Sequence, residues 1–378
     1  MSIPDTTSMD PVFTGVFVQT NEGGTNRVLA FRRDAHGALE EAGEYPTGGA
    51  GLGAAHLGSQ GSVILTADGH FLLVTNAGSD DISVFAVQDE PVLVQTAPSN
   101  GIAPMSVTEH DGLVYALNTG DPALVGFTLD AAGLHLVPGS RRDLPAAADP
   151  AQVGFSPDGS TVVVTQRGTN SLVSFPVEEG GLLGDPQEVA SSGQTPYGFT
   201  FADHQTLVVT EAFGAQVGKA AASSYRLTAQ GLAPLSRSIG NGHSAICWAV
   251  ADGTGRFVYA TNFADGAVSR YEVGADGSLT LADATAGTAV AAHPGLRDED
   301  ISGDGRYLHA IDADAHRIFG WHVGPDGQLT PVGSRNGLPD SVAASPPAEA
   351  SETGPRPRAR HTPRSGVSPP GFEVCEHP

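Results

Sequence analysis

The amino-acid sequence predicts an all-β chain folded as a seven-bladed β-propeller of four-stranded antiparallel blades, its ring closed by a C-terminal inner strand. Three observations carry this expectation: a composition suited to short strands and tight turns, a motif repeated seven times at blade spacing, and a first repeat whose missing strand lies at the far end of the chain.

The composition comes first. Among 378 residues there are 49 glycines and 27 prolines, with 40% apolar and only 16% charged side chains. Glycine supplies positive φ and proline pre-sets φ near −65°, so both favour turns over long helices. The net charge of −23 speaks against a nucleic-acid or anionic-membrane partner, because both need basic patches. Two cysteines, Cys247 and Cys375, provide no multi-bridge framework and no zinc-ligand spacing. The first residues carry no basic stretch followed by an apolar run, and no apolar run approaches the roughly 20 residues that span a bilayer. A cytoplasmic, monomeric protein is the expectation.

The repeat pairs an apolar strand ending in a polar residue with a short turn and a second strand closing on an aromatic. Phe71 to Phe85 reads FLLVTNAGSDDISVF, Val162 to Phe175 reads VVVTQRGTNSLVSF, and Phe257 to Tyr271 reads FVYATNFADGAVSRY. The seven closing aromatics are Phe31, Phe85, Phe127, Phe175, Tyr225, Tyr271 and Trp321. Their spacing averages about 48 residues, the size of a propeller blade. Turns such as Ser156-Pro-Asp-Gly159 and Ser302-Gly-Asp-Gly305 imply an inner strand before each pair, and Gly277-Ser-Leu-Thr-Leu281 reads as an outer strand after it. No inner strand precedes Val16. The segment Gly337 to Ala344 resembles other inner-strand starts and is expected to complete the first blade. Residues 1–11 are thus read as a disordered N-terminus and 12–344 as the propeller. Residues 345–378, with eight prolines in 34 positions, are read as a disordered Pro/Arg-rich tail.

Each second strand ends on a polar residue: Asn21, Asn76, Asn118, Gln166, Glu211, Asn262 and Asp312. Asn and Asp suit turn duty by bonding nearby backbone. Glu211 breaks the series, and Arg167 follows the equivalent Gln166. A partly desolvated glutamate has the chemistry of a general base, and an arginine that of an oxyanion stabiliser. His243 opens an inner strand and is a second candidate base. No Gly-x-Ser-x-Gly elbow, HExxH motif or dinucleotide fingerprint occurs, so neither metal nor organic cofactor is expected.

Pro150-Ala-Gln-Val-Gly-Phe-Ser-Pro-Asp-Gly159, Thr195-Pro-Tyr-Gly-Phe199, Glu211-Ala-Phe-Gly214 and Ser223-Ser-Tyr225 together resemble the lactonase-type seven-bladed propellers. That family includes phosphogluconolactonases and carboxymuconate-lactonizing enzymes, and the motifs match a bacterial subgroup of lactonase-family proteins. The resemblance implies hydrolysis or formation of a small lactone without metal, with Glu211, Arg167 and His243 as catalytic candidates meeting at one channel mouth. Tyr197, Gln152, Asn76, Asn118 and Asn262 are the candidate contacts to a lactone or sugar-acid ligand. The Gly-Pro-Arg-His stretch of phosphogluconolactonases is replaced here by Thr195-Pro-Tyr-Gly198. That change keeps a second reading open, a non-catalytic propeller binding a small ligand or a protein at its channel mouth.

Overall fold

The computed structural model describes residues 14–54 and 57–339. Within them the chain forms seven antiparallel sheets arranged in chain order around an axis. Blade 5 is representative: Pro196–Phe201, Thr206–Glu211, Ala221–Thr228 and Gly231–Gly240 pair in sequence from the axis outward. The innermost strands of blades 2 to 7 are Val63–Leu65, Pro104–His110, Pro150–Phe155, Pro196–Phe201, Ile246–Ala251 and Leu296–Ile301. Blade 1 has three described strands, Gly15–Gln19, Arg27–Arg33 and Leu39–Pro46, which match the second to fourth strands of the other blades. The segment expected to supply its inner strand runs past Pro339, outside the described residues.

Blades stack because each sheet is apolar on both faces. Leu73, Ile82 and Val84 of blade 2 pack on Val107, Val114, Ala116 and Phe127 of blade 3. All seven closing aromatics are buried, none more than 2% exposed. The last blade meets the first in the same way, with Ala313 and Ile318 packing on Val18, Leu29 and Phe31. Leu338 joins that cluster, so the chain approaches blade 1 where it leaves the described region.

A polar contact repeats around the ring. A tyrosine on the second strand of one blade donates to a carbonyl in the outer hairpin of the next: Tyr115 to Gly181 (2.6 Å), Tyr259 to Gly327 (2.7 Å) and Tyr307 to Ala35 (2.8 Å). The third of these joins blade 7 to blade 1. There Gly37 has φ +88°, and a Cβ on it would lie 2.4 Å from the Tyr307 ring. We predict that Tyr307→Phe costs about 1 kcal/mol, one hydrogen bond. Gly37→Ala costs about 2–3 kcal/mol, because it strains the turn and wedges the seam apart. Urea unfolding midpoints check the order, and a smaller loss for Gly37→Ala would contradict it.

Candidate functional site

Two faces of the ring differ. Blade-to-blade connections and the ends of the second strands share one, here called the connection face. Turns between first and second strands share the other, the turn face.

The expected catalytic residues lie toward the connection face, each with its own partners. Glu211 is fully buried. Its Oε1 accepts from Ser223 Oγ (2.5 Å) and Gly193 N–H (2.8 Å), and its Oε2 accepts from Ser238 Oγ (2.7 Å). Burial raises its pKa while these donors oppose the shift. Asn262 fills the same slot in blade 6, donating to Ala267 O and Ser269 Oγ and accepting from Asn241. Asn76 does so in blade 2, donating to Asp81 and Ser83 and accepting from Asn26 and Thr47. Asn118 is buried against Gly101. Glu211, Asn262 and Asn76 tie strands together, and none of the four lines the central cavity.

Arg167 pairs with Asp149 (2.7 Å) and lies 5.0 Å over the ring of Tyr197. Tyr197 is buried, its phenol pushed up to about 12 by desolvation, and its hydroxyl has no hydrogen-bond partner. His243 sits on the connection into blade 6, with Nδ1 3.3 Å from Asp265 and Nε2 3.1 Å from Thr285. Arg167 and Tyr197 therefore meet, whereas no hydrogen bond or ion pair among the described residues joins Arg167, Glu211 and His243. Each of the three engages partners within its own blade or seam.

Gln152 does line the cavity, and its contacts explain a wider pattern. Its side-chain amide accepts from Phe199 N–H (2.6 Å) and donates to Phe199 O (3.1 Å), like a residue of a neighbouring strand. Ser106 accepts from Val153 N–H, Thr108 from Phe155 N–H and Thr200 from Ala251 N–H. Each polar side chain on one inner strand thus satisfies the open edge of the next. In blade 5 the position matching Gln152 is Gly198, which has nothing to offer Ala249. Gln60, from the segment leading into blade 2, takes over: it donates to Ala249 O (2.8 Å) and accepts from Ala249 N–H (3.2 Å).

To do so, Ser59, Gln60 and Gly61 cross the channel. Ser59 donates to Met105 O and accepts from Trp248 Nε1; Gln60 donates through its backbone to Ala151 O; Val107 N–H reaches Gly61 O. This crosspiece lies toward the connection face. Below it is a cavity of about 620 Å³. Its lining includes Pro157 and Ser302 from the turn face and the exposed side chains of Leu65 and Asp300, so it opens on that side.

One wall is acidic. Blade 7 carries Asp298, Glu299 and Asp300 where blade 4 has Gln152, Val153 and Gly154. Asp298 and Asp300 alternate along the strand and so share a side. Burial, with the neighbouring Asp300 charge, pushes Asp298 up to about 7; Asp300, exposed to the cavity but ringed by protein, is pushed up to about 6 by desolvation. Glu299, 6% exposed, has neither oxygen in a well-formed hydrogen bond, and burial raises it well above the usual carboxylate range. The sequence reading missed this trio and the crosspiece. The signal for the first was present, since Leu296-Arg-Asp-Glu-Asp-Ile301 puts charge on an otherwise apolar inner strand.

Two expectations follow. A Cβ on Gly198 would lie 2.2 Å from Gln60 Oε1 and 2.5 Å from Cys247 O. Gly198→Ala is therefore predicted to cost about 3 kcal/mol by displacing the crosspiece, measured by denaturant unfolding. Glu299 holds a proton in the folded protein that the unfolded chain releases above its ordinary pKa, so its contribution to stability falls as pH rises. Glu299→Gln should raise the melting temperature at pH 8 by several degrees and by less at pH 5. An equal gain at both values would refute the assignment.

The described residues include no helix long and apolar enough to cross a membrane. A family profile described as "Lactonase, 7-bladed beta-propeller" matches residues 19–138 and 132–218. No curated protein matches the sequence. Among solved structures, a Bacteroides fragilis protein provisionally assigned as a 6-phosphogluconolactonase aligns at 18% identity, covering 86% of this chain and 95% of its own, with TM-score 0.62. A Lactobacillus plantarum protein aligns at 17% identity over 86% and 96%, TM-score 0.64. Hydrazine synthase from Kuenenia stuttgartiensis aligns at 16% over 84% and 97%, TM-score 0.57. At such identities the structural likeness establishes the fold, which hosts unrelated chemistries.

Proposed function

Because the chain belongs to the lactonase family of seven-bladed β-propellers, we propose that it hydrolyses a small lactone in the central cavity, with Asp300 and Asp298 as base and acid. The observation that carries this reading is the placement of two neighbouring carboxyls, both with raised pKa values, on the wall of the central cavity. A carboxyl pair that shares its protons near neutral pH suits acid–base division of labour.

In the step we envisage, ionised Asp300 takes a proton from water as the water oxygen bonds to the lactone carbonyl carbon. Protonated Asp298 then gives its proton to the ring oxygen as the C–O bond breaks, leaving a hydroxy acid. This reading replaces Glu211 as the base, since its carboxylate is enclosed by Ser223, Ser238 and Gly193.

The pair exchanges protons as a unit. Activity is expected to rise as pH passes about 6, where Asp300 ionises, and to fall as pH passes about 7, where Asp298 loses its proton. Asp300→Asn should lower kcat at least 100-fold, within the usual range for general-base loss. A pH-stat assay of acid release from a panel of lactones, corrected for spontaneous hydrolysis, tests both. Unchanged kcat in Asp298→Asn and Asp300→Asn, with a lowered melting temperature, would return both residues to the edge-bracing role of Gln152 and Thr108. Binding without turnover by the parent protein would favour the ligand-binding reading.

A further inference from the structure

We infer that the cavity is approached from the turn face, past Glu109 and Asp300, and that this route selects uncharged lactones against phosphorylated ones. The inference rests on the reading above for the reaction, but its claim about which ligand the cavity holds stands separately.

The charges along the cavity wall favour this selectivity. Carboxyl groups lining it are Glu109, Asp298, Glu299 and Asp300. The two lining arginines are already engaged with carboxylates: Arg33 with Asp304 at 3.0 Å and Arg297 with Asp314 at 3.6 Å. Arg297 also lies 4.9 Å over the Phe263 ring, and Arg33 4.7 Å over Tyr307. His309 lines the wall too, but burial lowers its pKa to about 4 and leaves it neutral. The chain's single lysine, Lys219, is not in the lining. A phosphate dianion entering this space would pass the Glu109 and Asp300 carboxylates and meet arginines committed elsewhere, without the bidentate cationic cradle that such groups need.

Glu109 stands at the end of the blade 3 inner strand, near the turn face. Its Oε1 accepts from Gly112 N–H (2.7 Å) and its Oε2 from Ala67 N–H (3.3 Å), which fixes its charge at the rim instead of leaving it on a mobile side chain. Unphosphorylated sugar lactones carry no charge and many hydroxyls, which these acceptors can bind.

The test compares D-glucono-1,5-lactone with its 6-phosphate. The expected result is at least a 100-fold higher kcat/KM for the uncharged lactone, with the preference shrinking as salt is raised. Glu109→Gln keeps an acceptor for Gly112 while removing the charge. It is expected to raise kcat/KM for the phosphorylated lactone roughly tenfold. Equal or better use of the phosphorylated lactone by the parent protein would overturn the inference. Should neither lactone turn over, the hydrolytic reading fails, and calorimetry with the uncharged gluconolactam and with 6-phosphogluconate decides the selectivity alone. Binding of the lactam only would uphold it; binding of 6-phosphogluconate as tightly, or of neither, would refute it.

Discussion

Every inner strand of this ring turns one edge toward the axis, and that edge has no further strand to pair with. Unpaired N–H and C=O groups in a narrow, partly dry channel are costly, so the molecule must supply partners from side chains. Ser106, Thr108, Gln152 and Thr200 do so from the preceding blade. The gap at Gly198 is filled by Gln60 from across the channel. The crosspiece follows from that requirement.

The same requirement gives blade 7 its character. Its inner strand carries two aspartates where blades 3 and 4 carry Ser106, Thr108 and Gln152, and a glutamate where they carry valines. Hydroxyls and amides in these slots donate and accept; ionised carboxylates only accept, and burial penalises their charge. The price is a wall with protons to exchange near neutral pH, a property that no amide-lined wall would have.

How much of this was legible in the residues depends on the range of the interaction. Blade number and size could be read from the closing aromatics, because a buried aromatic on each third strand is a local consequence of stacking. That Val16 belongs to a second-strand position was equally readable. The enclosure of Glu211 was not. Its slot at a strand end looks exposed in one dimension, and only the fold shows Ser223 and Ser238 enclosing it. The crosspiece was the hardest feature to foresee. Ser59 and Gln60 follow a glycine-rich stretch without periodicity, and their partners lie up to 189 residues away. Long-range side-chain to backbone bonds leave no pattern along the chain. Asp298 to Asp300 could have been found by aligning the inner strands against one another, which shows acids where the siblings are mostly apolar or neutral.

Arrays of similar modules ordinarily share energy only between adjacent members, so that loss of one weakens two. Here a single spoke from blade 2 bonds to blades 3, 4 and 6 at once. Such a hub converts neighbour-by-neighbour coupling into coupling across the diameter. Peeling away an individual module would break bonds on the opposite side of the ring, so partial melting is disfavoured and the whole assembly is held to one cooperative transition.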